Sequence, residues 1–164
     1  MNKTVQPFRV GHGFDVHRFT HGDSITLGGV KIPHKYAFDA HSDGDVLIHA
    51  VCDALLGAIA AGDIGQHFPD TDPAYAGIDS MILLAKVYEQ VAAAGYSIGN
   101  LDVTVIAQAP KLAPHLGAMQ RRLAKALASD VSQINIKATT TEGLGFSGRE
   151  EGMAVHSVVL LVAC

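Results

Sequence analysis

The chain has 164 residues, enough for one domain with an ordinary core, and 48% hydrophobic against 17% charged residues describes a folded protein rather than a disordered one. A net charge of −4 and the lack of any Lys/Arg-rich run exclude the electrostatic footprint of a nucleic-acid binder. No apolar run approaches the ~20 residues of a membrane span, residues 1–7 lack the apolar segment of a signal peptide, and two cysteines, Cys52 and Cys164, fit a reducing cytoplasm.

The first element is a strand that takes in Gly11-His12-Gly13-Phe14-Asp15-Val16-His17, with Phe8, Val10, Phe14 and Val16 on one parity. Asp15 and His17 share the other parity and project together. They are either two polar residues on a solvated strand face or two thirds of a three-ligand metal site. β-prone runs on both sides of Gly28-Gly29 predict a two-residue hairpin. His41-Ser42-Asp43-Gly44-Asp45 then leads into a helix over 46–61, with Ser42 and Asp45 resembling a capping box. Asp45, His49, Asp53 and Leu56 share one face of that helix. His49 is either a hydrogen-bonded core histidine or a third ligand beside Asp15 and His17, with Asp45 or Asp53 orienting its other ring nitrogen. The helix start offers free amides, so His41 and Ser42 could hold a phosphate there.

Gly62 ends the helix, and the loop 63–73 carries three aspartates, Asp63, Asp70 and Asp72. It is either a solvated turn or a lid that contacts a polyol or a metal. A second helix is expected over 80–94, capped by Asp79 or Ser80, with Ile82, Leu83, Val87 and Val91 on its apolar side. A strand over 101–107 follows, then a third helix from near Pro114 with Met119, Leu123 and Leu127 inward. After a strand at 134–138, Thr139, Thr140, Thr141 and Glu142 offer hydroxyls and a carboxylate suited to phosphate oxygens and a second hard cation. Gly143-Leu144-Gly145 has no following Lys-Ser/Thr and is no P-loop. A final strand covers 153–162. This order predicts an α+β fold, a mixed α/β sandwich in which a single mixed sheet has three helices packed on one face.

Together, Gly-His-Gly-Phe-Asp-Val-His (11–17), Ala-His-Ser-Asp-Gly-Asp-Val (40–46), His49, Gly-Asp-Ile-Gly (62–65) and Phe-Pro-Asp-Thr-Asp-Pro (68–73) form an ordered set. It continues with Ala-Gln-Ala-Pro-Lys (107–111), Lys-Ala-Thr-Thr-Thr-Glu (137–142) and Leu-Gly-Phe-Ser-Gly-Arg (144–149). The set resembles the 2-C-methyl-D-erythritol 2,4-cyclodiphosphate synthase family of the non-mevalonate isoprenoid pathway. The resemblance implies a single catalytic domain over 8–164 behind a disordered extension at 1–7. It also implies a homotrimer whose sheets face the axis and whose active sites lie between subunits. The substrate would be 4-diphosphocytidyl-2-C-methyl-D-erythritol 2-phosphate, and the products the cyclic diphosphate and CMP.

By that likeness Asp15, His17 and His49 hold zinc, and Glu142 meets a magnesium or manganese ion on the diphosphate. His41 and Thr140 stabilise the transition state, with Ser42 beside the phosphate. Asp63, Ile64 and Gly65, together with Phe68, Pro69, Asp70, Thr71 and Asp72, line the erythritol pocket. Ala107, Gln108, Ala109, Pro110, Lys111, Leu112 and Ala113 enclose the cytosine, mostly through backbone groups. Thr139, Thr140, Thr141 and Glu142 contact the diphosphate, and Phe146 and Arg149 complete the ligand-contacting set. Asp15 and His17 count among the substrate contacts too. His156 stands where some family members carry an acidic residue facing the trimer's central cavity, a place for an isoprenoid phosphate.

The chemistry is reasonable for an acidic chain. A phosphate already on the substrate is an ionised nucleophile, so the demands are positioning and spreading of charge. Within the motifs only Lys111, Lys137 and Arg149 are cationic, which leaves much of the positive charge to divalent metals. Two other readings compete: a zinc phosphoesterase that uses metal-bound water, and a non-catalytic trimer that senses a cytidine nucleotide or an isoprenoid phosphate.

Overall fold

A computed structural model describes residues 6–69 and 71–164 of the chain. Residues 1–5 and Asp70 lie outside the described residues, and with them most of the extension expected at 1–7 and one of the expected pocket residues. The chain opens with β1 (Phe8–His21), the hairpin strands β2 (Ser24–Leu27) and β3 (Val30–Pro33), and the short β4 (Tyr36–Phe38). Next come α1 (Val46–Ala58), the four-residue α2 (Ile64–His67), α3 (Ser80–Ala93) and β5 (Tyr96–Ile106). The remainder is α4 (Leu116–Ala126), β6 (Ile134–Thr139), the single turn α5 (Gly145–Gly148) and β7 (Gly152–Ala163).

Five strands form a mixed sheet in the order β4-β1-β7-β5-β6, and only β5 and β6 run parallel. β2 and β3 pair apart from it as a two-stranded sheet, so the expected single sheet gains a small separate hairpin. The three long helices share one buried core with the sheet. Leu47, Leu55 and Val51 of α1, Leu84 and Val87 of α3, and Met119 and Leu123 of α4 join Val103, Val105, Ile136, Val155 and Val159 of the strands. The strand expected over 101–107 begins five residues earlier, at Tyr96, whose ring is buried where β5 meets the end of β7.

Glycines determine how closely α1 lies on β1. Gly11 and Gly13 share the parity of Asp15 and His17, and an added Cβ would sit 1.8 Å from Ala54 O and 1.9 Å from Ala50 O. No side chain fits there, so helix backbone rests on strand backbone. The opposite parity is open: Phe8, Val10, Phe14 and Val16 stay 63%, 64%, 47% and 44% exposed. The strand's apolar residues therefore face away from the helices, and its glycines and site residues face toward them.

Four local expectations are corrected. Asp45, not Ser42, is the N-cap of α1, its carboxylate accepting from Ile48 N at 3.1 Å. The same buried carboxylate accepts from Gly28 N and Gly29 N at the hairpin turn, at 2.9 and 2.7 Å. Asp45 is thus occupied with the turn, which adopts positive φ at both glycines, and it does not orient His49. Leu83, Val87 and Val91 of α3 are buried as expected, but Ile82 at one edge of that stripe is half exposed and Leu84 at the other edge is buried in its place. α1 ends at Ala58, followed by Ala60 at φ 58°, three residues short of the expected 61.

Gly13→Ala tests the glycine contact. The added methyl forces α1 off β1 and lowers unfolding free energy by about 3 kcal/mol or more, at the upper end of overpacking costs, measurable by urea denaturation. Unchanged stability would mean that the helix does not rest on the strand at this point.

Candidate metal centre and substrate cleft

Three side chains from two elements converge on one point. Strand parity puts Asp15 and His17 on the helix-facing side of β1, and His49 sits one turn into α1, where the helix crosses that strand. Asp15 Oδ2 lies 3.0 Å from His17 Nε2 and 3.2 Å from His49 Nδ1, and the two nitrogens are 3.4 Å apart. Zinc bonds of about 2.0–2.2 Å at tetrahedral angles place donors roughly 3.3 Å apart, so this triangle already has the size such an ion needs. One carboxylate oxygen and two imidazole nitrogens are also a donor set that zinc favours, and three protein ligands leave a position open.

The electrostatics show what a cation would replace. Burial alone would raise the Asp15 carboxyl, but hydrogen bonds from His17 and His49 and their charge hold it at about 2. Burial would lower His17, yet its hydrogen bond and attraction to Asp15 raise it above its ordinary 6.5. In the metal-free chain a proton shared with Asp15 does the work of a cation. The stability from Asp15 is present above 3.8 and lost as pH falls toward about 2. That from His17 is present below 6.5 and lost as pH rises through its elevated value. A metal ion must displace this proton, so the site favours metal at higher pH.

The ligand triangle forms the floor of a cleft of about 370 Å³. His41 and Ser42 from the loop before α1 line it, with Ile64, Gly65 and Phe68 from α2 and its end, and Tyr75 and Ile78 beyond. Phe68 and Tyr75 meet edge to face with ring centroids 5.3 Å apart and make an aromatic wall of the cleft. Asp63 and Asp72 have other duties. Asp63 caps α2 through Gln66 N, and Asp72 caps the turn Pro73–Tyr75 through Ala74 N. Pro69 and Thr71 are exposed beside the cleft rather than in its lining. Asp53, a second candidate for orienting His49, instead accepts from Ile64 N at 2.8 Å and ties α2 to α1.

The other expected residues gather at the C-terminal ends of the parallel strands β5 and β6, level with Asp15 and His17 in the register but two and three strands across the sheet. Ala107 follows β5 and donates its N–H to Thr139 O at 3.0 Å, while Gly143 N donates to Gln108 Oε1 at 3.3 Å. These contacts join the 107–113 and 139–143 segments into one surface. Gln108, Lys111, Ala113, Thr139, Thr140 and Glu142 are exposed on it, with Ala109, Pro110 and Thr141 partly so. Leu112 is buried, so its side chain belongs to the core and only its backbone can meet a ligand. Thr140 Oγ1 accepts from Glu142 N at 3.3 Å, and Glu142 holds a φ of 56°, a left-handed conformation uncommon for a glutamate. Two of the three expected cations are taken: Lys137 reaches both Asp102 oxygens at 2.6 Å, and Arg149 pairs with Glu151 at 3.1 Å. Phe146 shares a shallow depression with Val16, His17 and Arg18. Among the described residues, none from 107–113 or 139–142 lines the cleft over the ligand triangle.

One residue at the site escaped sequence reasoning. Ser80, the first residue of α3, is fully buried with its Oγ 3.0 Å from His49 Nε2. It is 31 positions from His49, and no spacing rule connects the two.

The family model for the YgbB family matches residues 8–162. A protein from Ectopseudomonas mendocina named 2-C-methyl-D-erythritol 2,4-cyclodiphosphate synthase is 64% identical over 154 residues, covering 94% of this chain and 98% of its own length. One of the same name from Pseudomonas aeruginosa is 63% identical over 155 residues, covering 94% of this chain and 99% of its own. Among solved structures, IspF from Plasmodium falciparum in complex with CDP superposes with a TM-score of 0.86 at 34% identity, covering 98% of this chain and 99% of that one. The bifunctional IspDF from Campylobacter jejuni superposes at 0.92 with 48% identity, covering 96% of this chain and 42% of that longer one. With nearly its whole length matched and the two bacterial synthases covered almost end to end, the chain belongs to the YgbB family.

Proposed function

We propose that the chain converts 4-diphosphocytidyl-2-C-methyl-D-erythritol 2-phosphate into 2-C-methyl-D-erythritol 2,4-cyclodiphosphate and CMP, as a phosphorus–oxygen lyase of isoprenoid precursor synthesis. The observation that carries the reading is the Asp15, His17, His49 triangle on the floor of a cleft, in a chain 64% identical to a relative of that name. In the reaction an oxygen of the 2-phosphate forms a bond to the β-phosphorus. The bond from that phosphorus to the bridging oxygen breaks, and CMP leaves with its electron pair.

Zinc held by Asp15, His17 and His49 would draw charge from the phosphate oxygens, as would a magnesium or manganese ion near Glu142 on the diphosphate. The chain itself supplies position and polarity. His41 and Ser42 at the cleft wall are placed to donate to the 2-phosphate, and Ile64, Gly65 and Phe68 hold the erythritol part. Thr139, Thr140, Thr141 and Glu142 meet the diphosphate, with Thr140 stabilising charge in the transition state. Ala107 to Ala113 enclose the cytosine, and the CDP-bound family relative supports a nucleotide diphosphate as the ligand class.

The working form in this reading is a homotrimer of single catalytic domains, residues 8–164, with the open sheet faces toward the axis. Its support is the exposed row Phe8, Val10, Phe14 and Val16 on β1 with Val158 on β7, a large apolar surface for water to cover. Neighbouring subunits then bring the 107–113 and 139–142 surface of one chain to the metal cleft of the next. Within the axial cavity His12 and His156, 3.0 Å apart, would face an isoprenoid phosphate. Among the described residues no helix is long and apolar enough to cross a membrane, and a cytoplasmic location is proposed on that and on the biosynthetic role.

Turnover in 18O-labelled water separates cyclisation from hydrolysis. The expected result is CMP with an unlabelled cyclic diphosphate; a linear phosphate carrying solvent oxygen would make the chain a phosphoesterase, and binding without CMP release would make it a sensor. Shared sites make a second prediction. His49→Ala and Thr140→Val variants, each impaired alone, recover roughly one quarter of wild-type activity when co-expressed as mixed trimers, since that share of sites draws both halves from intact copies. Recovery no better than the sum of the separate variants would place each site within one chain.

A further inference from the structure

We propose that Ser80, backed by Asp43, is a positioning residue that fixes the tautomer and orientation of His49 for metal binding. The starting observation is a fully buried hydroxyl with no capping duty. The N-cap of α3 is Asp79, whose carboxylate accepts from Met81 N at 2.8 Å, so the helix start does not require Ser80. A buried hydroxyl is costly unless hydrogen-bonded, and Ser80 Oγ has two partners, Asp43 Oδ1 and His49 Nε2 at 3.0 Å. The backbone N–H of Ser80 also donates to Asp43 Oδ2 at 3.0 Å, so Asp43 grips the residue at two points.

Donor counting settles the direction of this chain of bonds. A carboxylate only accepts, so the single hydroxyl proton of Ser80 points to Asp43. Oγ then turns a lone pair toward His49, and Nε2 must carry the ring proton. Nδ1 is thereby left for the triangle, where it donates to the Asp15 carboxylate 3.2 Å away until a metal takes the place of that proton. Ser42 Oγ also lies near Nε2, but at 3.4 Å, and it already accepts from Gly44 N. Ser80 is the closer and the more deeply buried of the two.

The same loop treats His17 in the opposite sense. Its Nδ1 lies 2.9 Å from Gly44 O, a carbonyl that can only accept, so Nδ1 is protonated and Nε2, which hydrogen-bonds Asp15 at 3.0 Å, is the nitrogen left for a metal. The adjacent residues Asp43 and Gly44 therefore set two histidines to bind through different nitrogens, Nε2 for His17 and Nδ1 for His49. Outer partners of this kind orient metal ligands and raise their basicity. For its purpose the proposal rests on the metal reading above, but the proton on His49 Nε2 that Ser80 accepts can be read with or without a metal.

The test uses ring 15N spectra of the metal-free protein together with zinc titration against a competing chelator. The wild type is expected to show His49 protonated at Nε2 and His17 at Nδ1. Ser80→Ala is expected to give His49 a mixture of tautomers and to weaken zinc binding by about 10- to 100-fold. His49 lacking a proton at Nε2 in the wild type overturns the proposal, and that measurement holds even if the variant does not fold. A folded Ser80→Ala with wild-type tautomer and wild-type zinc affinity overturns it as well. Failure of the wild type to bind zinc would instead overturn the metal reading, while the spectra still decide on Ser80.

Discussion

The contact on which the site depends is backbone against backbone, where α1 crosses β1 over Gly11 and Gly13. With an ideal Cβ less than 2 Å from helix carbonyl oxygens at both positions, any side chain there would push the helix outward. His49 would leave with it. The two glycines stand four and two residues before Asp15 on the same strand parity, so one row of the strand first admits the helix and then meets its histidine. The cost of this economy is that the apolar residues of β1 face the other way and stay exposed in a single chain.

A second constraint holds the loop before α1. Residues 43–45 carry three separate duties in consecutive positions: Asp43 grips Ser80, Gly44 O receives His17 Nδ1, and Asp45 closes both the helix end and the hairpin turn. Full burial desolvates Asp45 and pushes its carboxyl up to about 6, against three backbone N–H bonds that favour the charged form. The hairpin, the helix start and both histidines are therefore set by a single stretch of chain. His41 and Ser42, immediately before it, are held at the cleft wall as a consequence.

Much of this was legible from residue order. Strand parity pairs Asp15 with His17, the Gly28-Gly29 hairpin forms as expected, and α4 with its C-cap buries Met119, Leu123 and Leu127. What periodicity could not supply were contacts between elements. His49 was ambiguous between a core histidine and a ligand because its partner lies on a strand 32 to 34 positions away. Asp45 and Asp53 looked like its orienting groups because they share its helical face, yet the hairpin takes one and α2 takes the other. Ser80 gave no signal beyond a helix start. The family resemblance linked His49 to the strand pair, and the physical reason, the paired glycines, was within the same motif.

Anomalous diffraction at the zinc edge, from crystals grown with zinc and CMP, tests the central claim most directly. The account predicts one peak at bonding distance from an Asp15 carboxylate oxygen, His17 Nε2 and His49 Nδ1, with the cytosine against residues 107–113 of a neighbouring copy. A peak elsewhere, or none at these three atoms in zinc-saturated crystals, would contradict it.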